Sequence, residues 1–420
     1  MDTEIKKGNP DVIIIGAGLA GLTAAKVLKA AGKSVRILEA SDRPGGRVRT
    51  EEVDGFLLDR GFQVLLTAYP ETQRFLNYES LDLQKFDPGA LILNETGITK
   101  IEDPLRKPAA LISTLTSSAG TLSDKLRMLG LKLKLTGKSI DEIFASHEAT
   151  TLAYLNEFGF SQRMIGQFFK PFMSGIFLED QLSTSSRMFE FVFKMFSQDA
   201  TAVPAKGMGM IPIQLASGLA AHEIAFDQKV VSIDGNKVTT AFGEVCEATN
   251  ILIATNELNI PGPFRQAPAS FHSVTNMYFT AGRTPYALPL IALNALPNKL
   301  VNNMAVMNQV APHYSKNGDA LISLSLIGDH SGTDAAQLQS EVLRELHAWF
   351  PDALQWKHLK TFHIDYALPN DDTVIDEPAN HANRLNEECF ICGDHLLNGS
   401  INAAMKSGRL AAEAIITSQK

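Results

Sequence analysis

The chain has 420 residues, 45% of them hydrophobic and 20% charged, with 38 basic against 46 acidic side chains and a net charge of −8. That length suits two or three domains rather than one core, and the acidic balance argues against a general nucleic-acid surface. No uninterrupted run of about 18 apolar residues predicts a transmembrane helix, and the polar start Met1 to Pro10 does not read as a secretory signal.

The run Val12-Ile-Ile-Ile-Gly16-Ala-Gly18-Leu-Ala-Gly21 is the first motif along the chain. Its four apolar residues predict a strand buried on both faces of a parallel sheet. Gly16 permits the tight turn out of that strand, Gly18 lets the backbone approach a pyrophosphate, and Gly21 lets the next helix sit close. The predicted helix, residues 19–31, ends at Gly32, and its free N–H groups and dipole favour phosphate charge. A second strand over 34–38 delivers Glu39, 23 positions after Gly16, where an acid accepts hydrogen bonds from ribose hydroxyls and disfavours a 2′-phosphate. Arg43-Pro-Gly45-Gly46-Arg47 follows, offering flexible amides and two guanidinium groups to phosphate oxygens.

The segment 86–204 reads as largely helical. Within it, Thr121 to Lys134 is a basic amphipathic stretch and Phe158 to Phe177 is rich in aromatic residues. The plain expectation is basic residues on a solvated face and phenylalanines in the core. Residues 229–255 read as strands with a hairpin turn at Asp234-Gly235, and 266–374 as sheet plus an amphipathic helix from Gln337 to Phe350, with Trp349 and Trp356 as packing residues. Near the end, Cys389-Phe-Ile-Cys392 lies in an apolar strand. Its CxxC spacing therefore reads as structural rather than redox. The three cysteines fit a reducing, cytoplasmic compartment, and no second cysteine or histidine cluster completes a metal site.

These motifs resemble the FAD-dependent amine oxidase and phytoene desaturase superfamily, which includes protoporphyrinogen oxidases and is related to UDP-galactopyranose mutases. The resemblance rests on Gly16, Gly18, Gly21, Glu39, Arg43, Gly45, Gly46 and Arg47, continues through Gly55-Phe-Leu-Leu-Asp59-Arg-Gly61-Phe62-Gln63, and closes with Gly393-Asp394 and Gly399-Ser-Ile401-Asn402-Ala403. It implies FAD as cofactor and a fold in which a discontinuous Rossmann-like α/β domain (1–85, 205–265, 375–420) carries an inserted α+β substrate domain (86–204, 266–374). It further implies that Gly61 and Phe62 pass the flavin ring, that Val230 pairs its backbone with the adenine edge, and that Asp394 contacts the ribityl and pyrophosphate region. The helix start at Ile401, Asn402 and Ala403 would face flavin N1 and C2, where its dipole stabilises the anionic reduced ring. Pro204-Ala-Lys206-Gly207-Met208 resembles a family Pro-x-Gly-Gly-Met segment, with Lys206 in place of a glycine and expected in solvent.

The activity implied is hydride transfer from a substrate C–H to flavin N5, with oxygen or a quinone as electron acceptor. Phe62, Gln63 and Tyr366 are the candidate residues at the reacting centre, Tyr366 from an aromatic-x-x-Pro segment, Tyr366-Ala-Leu-Pro369. Amine oxidases of the group often carry a substrate-domain lysine near N5. Lys299, in an apparent turn, is a poor candidate, so oxidation or desaturation of a lipophilic isoprenoid- or porphyrinogen-like skeleton ranks above amine oxidation. A flavin mutase would want clustered arginines, whereas Arg106, Arg127, Arg163 and Arg187 are spread thinly; a flavin-binding protein without catalysis is the other alternative. Family members acting on lipophilic substrates use such insertion helices to line a tunnel or touch a membrane, which allows peripheral membrane contact here.

Overall fold

A computed structural model describes residues 9–102, 120–256, 259–264, 270–378 and 383–418; Arg106 lies outside them. Five parallel strands form the first sheet, in the order Ile224–Ala225, Val35–Leu38, Val12–Ile15, Asn250–Ile253 and Cys389–Ile391. Val12–Ile15 sits in the middle with both faces covered, which is why its sequence is apolar without alternation. Against one face lie the first helix, Leu19–Ala30, and the last, Ile401–Ser418. They approach so closely that a Cβ on Gly408 would fall 2.1 Å from the Ala20 carbonyl oxygen.

The other face is covered by an antiparallel sheet of Val230–Asp234, Lys237–Thr240 and Val245–Glu247, sharing a core with Ile13, Ile15, Ile251 and Ile253. Asp234 pairs with Lys237, so the hairpin turn is Gly235-Asn236, one residue later than expected.

A second sheet has seven strands in the order Lys357–Pro369, Phe271–Ala281, Ala320–Ile327, Asn303–Val306, Ile291–Asn294, Gly89–Asn94 and Gly97–Glu102. Neighbours are antiparallel except Ile291–Asn294 beside Gly89–Asn94. One face packs on the helix Ala335–Leu346 through Leu338, Val342 and Leu346, in a core that includes Trp356. Trp349 packs against the same core and donates its indole N–H to the Asn94 carbonyl.

The opposite face meets the helical segment, where Phe160, Phe169, Phe189 and Phe191 are buried in the largest core. The two ends of that segment are stitched together by a small sheet in which Leu65–Leu66 and Leu83–Lys85 flank Thr201–Pro204.

The long helix of this segment, Leu122–Gly137, carries more on its solvated side than the expected basic residues. Leu131 and Leu135 are buried, but Leu122, Leu126, Leu129 and Leu133 are 63%, 64%, 38% and 64% exposed. Spaced i, i+4, i+7 and i+11, they form one outward stripe. No helix among the described residues is long and apolar enough to cross a membrane.

Candidate functional site

The turn after the first strand is shaped by contact. A Cβ on Gly16, whose φ is +107°, would lie 2.7 Å from the Ala254 carbonyl oxygen, whereas one on Gly18 would meet nothing within 4 Å. Gly18 thus faces open space at the start of the helix Leu19–Ala30, and Gly46 stands against it, its added Cβ 3.4 Å from Gly18 Cα. The Gly45 amide donates to the Ala17 carbonyl at 2.9 Å and fixes the two glycine turns together.

Glu39 ends the second strand almost fully buried. Its Oε2 accepts from the Ala17 amide at 2.7 Å, and its Oε1 accepts from the Ser41 amide and hydroxyl. The Glu39 carbonyl accepts from the Gln228 amide at 2.8 Å, which brings the strand start at Val230 beside it. Gln228 Oε1 is buried there without a partner among the described residues.

Of the two arginines in the 43–47 segment, only Arg47 points inward. It donates to Asp394 Oδ1 at 2.5 Å and to the Ala367 carbonyl at 3.0 Å, and its guanidinium stands 5.3 Å from the centre of the Tyr366 ring. Arg43 turns outward and pairs with its neighbour Asp42 in solvent. The turn is braced instead by Arg49, which donates to Ser41 Oγ and the Arg43 carbonyl. Arginine count alone did not distinguish these roles, because side-chain direction in an irregular turn has no period to read.

Gly61, with φ +92°, carries the chain past Ile364, so Phe62 and Gln63 arrive near the strand that bears Tyr366. Gln63 donates to the Arg47 carbonyl at 3.1 Å, and its Oε1 is buried without a partner among the described residues. Phe62 meets Phe86 edge-on, and the buried Tyr366 ring lies 5.0 Å from Phe271. At the last helix, Ser400 Oγ caps the Ala403 amide, while Asn402 directs its side chain away to accept from the Glu71 amide. The Gly393 amide donates to Ser407 Oγ.

Two buried carboxyl groups were not singled out by sequence. Asp59 accepts from Thr50 Oγ1 at 2.5 Å, the Met208 amide at 2.9 Å and the Tyr314 hydroxyl at 2.6 Å, and its carbonyl accepts from the Tyr278 hydroxyl. Burial pushes its carboxyl up to about 6 against these donors. The only hint is an acid closing the apolar strand Phe56–Asp59. Asp371 accepts from the Gly399 amide at 2.7 Å, and burial, with Asp394 and Asp372 nearby, pushes it up to about 7. It lines a small cavity with Phe177, Met188, His272, Leu368 and Gly399.

Lys206 is exposed, as expected. Lys299 lies in a different cavity, with Lys170 and Arg163. Cys389 and Cys392 are buried free thiols, and burial pushes Cys389 up to about 11. Among the described residues no group of histidine, cysteine or carboxylate side chains is placed to hold a metal.

A family model described as flavin containing amine oxidoreductase matches residues 19–416. Protoporphyrinogen oxidase 2, chloroplastic/mitochondrial, of Arabidopsis thaliana is 26% identical over 260 residues, covering 54% of this chain and 50% of that protein. Putrescine oxidase of Kocuria rosea is 55% identical over 53 residues, covering 13% and 11%. The chain thus matches half or less of the length of these curated relatives. The crystal structure of an oxidoreductase from Methanosarcina mazei superposes with a TM-score of 0.73 at 15% identity, covering 97% of this chain and 99% of that one, a likeness of fold.

Proposed function

The chain belongs to the flavin-containing amine oxidoreductase family, and from that membership we propose that it is an FAD-dependent oxidoreductase of a lipophilic small molecule, isoprenoid- or porphyrinogen-like, with oxygen or a quinone as electron acceptor. The observation that carries this reading is the cluster of aromatic side chains at the reacting centre. Phe62, Phe271 and Tyr366 flank it beside the Arg47 guanidinium, and the two lysines of the Tyr366 strand, Lys357 and Lys360, stand toward its other end, where Lys360 pairs with Glu51.

The open space beside Gly18 and the acceptors at Gln228 and Gln63 that have no partner among the described residues support the following cofactor contacts. Glu39 holds the ribose, with Val230 at the adenine. The amides after Gly16 and Gly18, the close packing at Gly21, and the turn Gly45-Gly46 receive the diphosphate. Arg47 and Asp394 hold one another at the ribityl end, beside Gly393, and Arg43 stays in solvent. Gly61, Phe62, Ile401, Asn402 and Ala403 border the ring. When bound, the flavin supplies the acceptor for a hydride from a substrate C–H; the chain supplies orientation and a pocket without bulk water. We assign this holding role to 1–85, 205–265 and 375–420, and substrate enclosure to 86–204 and 266–374.

The outward leucines of Leu122–Gly137, with Lys125, Lys132 and Arg127 on the same helix, support peripheral contact with an anionic lipid surface from which such a substrate would be drawn.

The test is anaerobic mixing of the yellow protein with isoprenoid, porphyrinogen and amine panels while following flavin absorbance. Bleaching by an isoprenoid or porphyrinogen is expected. Bleaching by amines alone overturns the lipophilic reading; in a separate arm, conversion of a sugar nucleotide by the dithionite-reduced protein without reoxidation of the flavin makes the chain a mutase.

A further inference from the structure

A second cavity, of about 530 Å³, opens between the helical segment and the loop 295–300 of the second sheet. It lies within the segments assigned to substrate enclosure, but none of the residues named above at the flavin or the reacting centre lines it. One helix runs between it and the small cavity beside Gly399. Lys170, at the start of Lys170–Phe177, borders this cavity, and Phe177, at the other end, borders the small cavity beside Gly399; eight helical residues separate the two by about 10 Å.

The lining is strongly cationic. Arg163, Gly166, Gln167 and Lys170 fall at i, i+3, i+4 and i+7 and present one side of a helix that widens into a π turn at Ile165–Phe169, a distortion that recurs at functional sites. Lys299 faces them from the loop, anchored by its ammonium on the Asn294 carbonyl at 2.8 Å. Burial and the neighbouring Lys170 charge push Lys299 down to about 8. Among the described residues Asp180 is the single carboxylate in the lining. The nearby Glu345 is taken up by the Leu300 and Val301 amides and the Asn294 side chain. Three cations against one carboxylate leave positive charge for a ligand to neutralise.

Two further features shape the ligand. Asn302 is 1% exposed, and its Oδ1 has no partner among the described residues, so a buried acceptor waits for a donor. At Gly166 an added Cβ would meet nothing within 4 Å, so the helix leaves space where a side chain would stand. The volume falls in the range of small-molecule pockets.

We propose that this cavity is a second binding site, separate from the flavin, for a small anionic molecule bearing a carboxylate or phosphoryl group together with a hydroxyl donor. Arg163, Lys170 and Lys299 hold the anionic group, and Asn302 Oδ1 accepts from the hydroxyl.

The flavin-loaded protein is titrated calorimetrically with citrate and, separately, with inorganic phosphate. Saturable binding of at least one is expected; tighter citrate assigns a carboxylate, tighter phosphate a phosphoryl group. Lys170→Gln and Arg163→Gln each weaken binding about tenfold. Gly166→Leu, which fills the space without changing a charge, abolishes it. Far-ultraviolet dichroism and flavin content stay as in the parent protein, which separates loss of the site from loss of fold. Failure of both anions to bind at about 10 mM, or affinities unchanged in all three variants, overturns the proposal. Neither outcome bears on the flavin bleaching that tests the proposed reaction.

Discussion

Arg47 and Asp394 are separated by 347 positions in the chain and joined by a hydrogen bond of 2.5 Å. The contact ties the glycine turn near the N-terminus to the strand end before the last helix, at the edge of the proposed flavin site. Asp394→Asn leaves the guanidinium facing a neutral amide. Loss of a charged hydrogen bond of this kind costs about 1.5–3 kcal/mol, so flavin dissociates about tenfold or more readily. Flavin released on dilution, followed by fluorescence, checks this; unchanged retention removes the pair from the site.

At Gly18 a valine side chain would occupy the space that faces the helix start, while its extended backbone, φ −73° and ψ 176°, suits any residue. Gly18→Val is therefore expected to fold and lose its yellow colour. Glu39→Ala is expected to weaken FAD binding by about 1–3 kcal/mol. A colourless parent protein that binds NAD tightly contradicts the whole assignment.

Asp59 carries a pH signature. Its carboxyl is raised by burial from an ordinary value near 3.8 to about 6. The folded state therefore holds a proton there that the unfolded chain has released, and stability falls as pH rises from about 4 to about 6, by about 3 kcal/mol. Asp371, raised to about 7, extends the same trend. Asp59→Asn removes the first contribution. Relative to the parent, this variant is expected to be more stable at pH 7 than at pH 4 by about 3 kcal/mol in urea unfolding. A pH-independent difference between the two proteins contradicts the burial argument.

The leucine stripe makes a separate prediction. Leu126→Glu and Leu133→Glu introduce charge at exposed positions and leave the core untouched. Co-flotation with vesicles containing phosphatidylserine is expected to fall sharply in the double variant, with thermal stability changed by no more than about 1 kcal/mol. Equal flotation of both proteins removes the membrane reading.

Much of the nucleotide-holding half is legible because it is local. Residues Val12 to Glu39 form strand, turn, helix and strand in one stretch, and each demands its own residue types. The Asp59 clamp is not local: Thr50, Met208, Tyr278 and Tyr314 come from four segments, and no spacing along the chain reveals their meeting. The helix Leu122–Gly137 shows a different limit. Its pattern of leucines and lysines declares two faces, but which leucines are covered depends on neighbours far away, and Leu131 and Leu135 took that place. Arg43 and Arg49 show a third, since in an irregular turn residue type predicts charge without direction.

The order of the first sheet also bears on how the protein is made. Val12–Ile15 emerges from the ribosome well before its partner Asn250–Ile253, and Cys389–Ile391 follows more than a hundred residues later still. Until that last strand arrives, one edge of Asn250–Ile253 stands unpaired and open to other chains. Arg47 and the first helix also wait, for Asp394 and Ile401–Ser418. A chain cut before Cys389 is expected to expose that edge and to lack the proposed flavin contacts of Asp394 and the last helix.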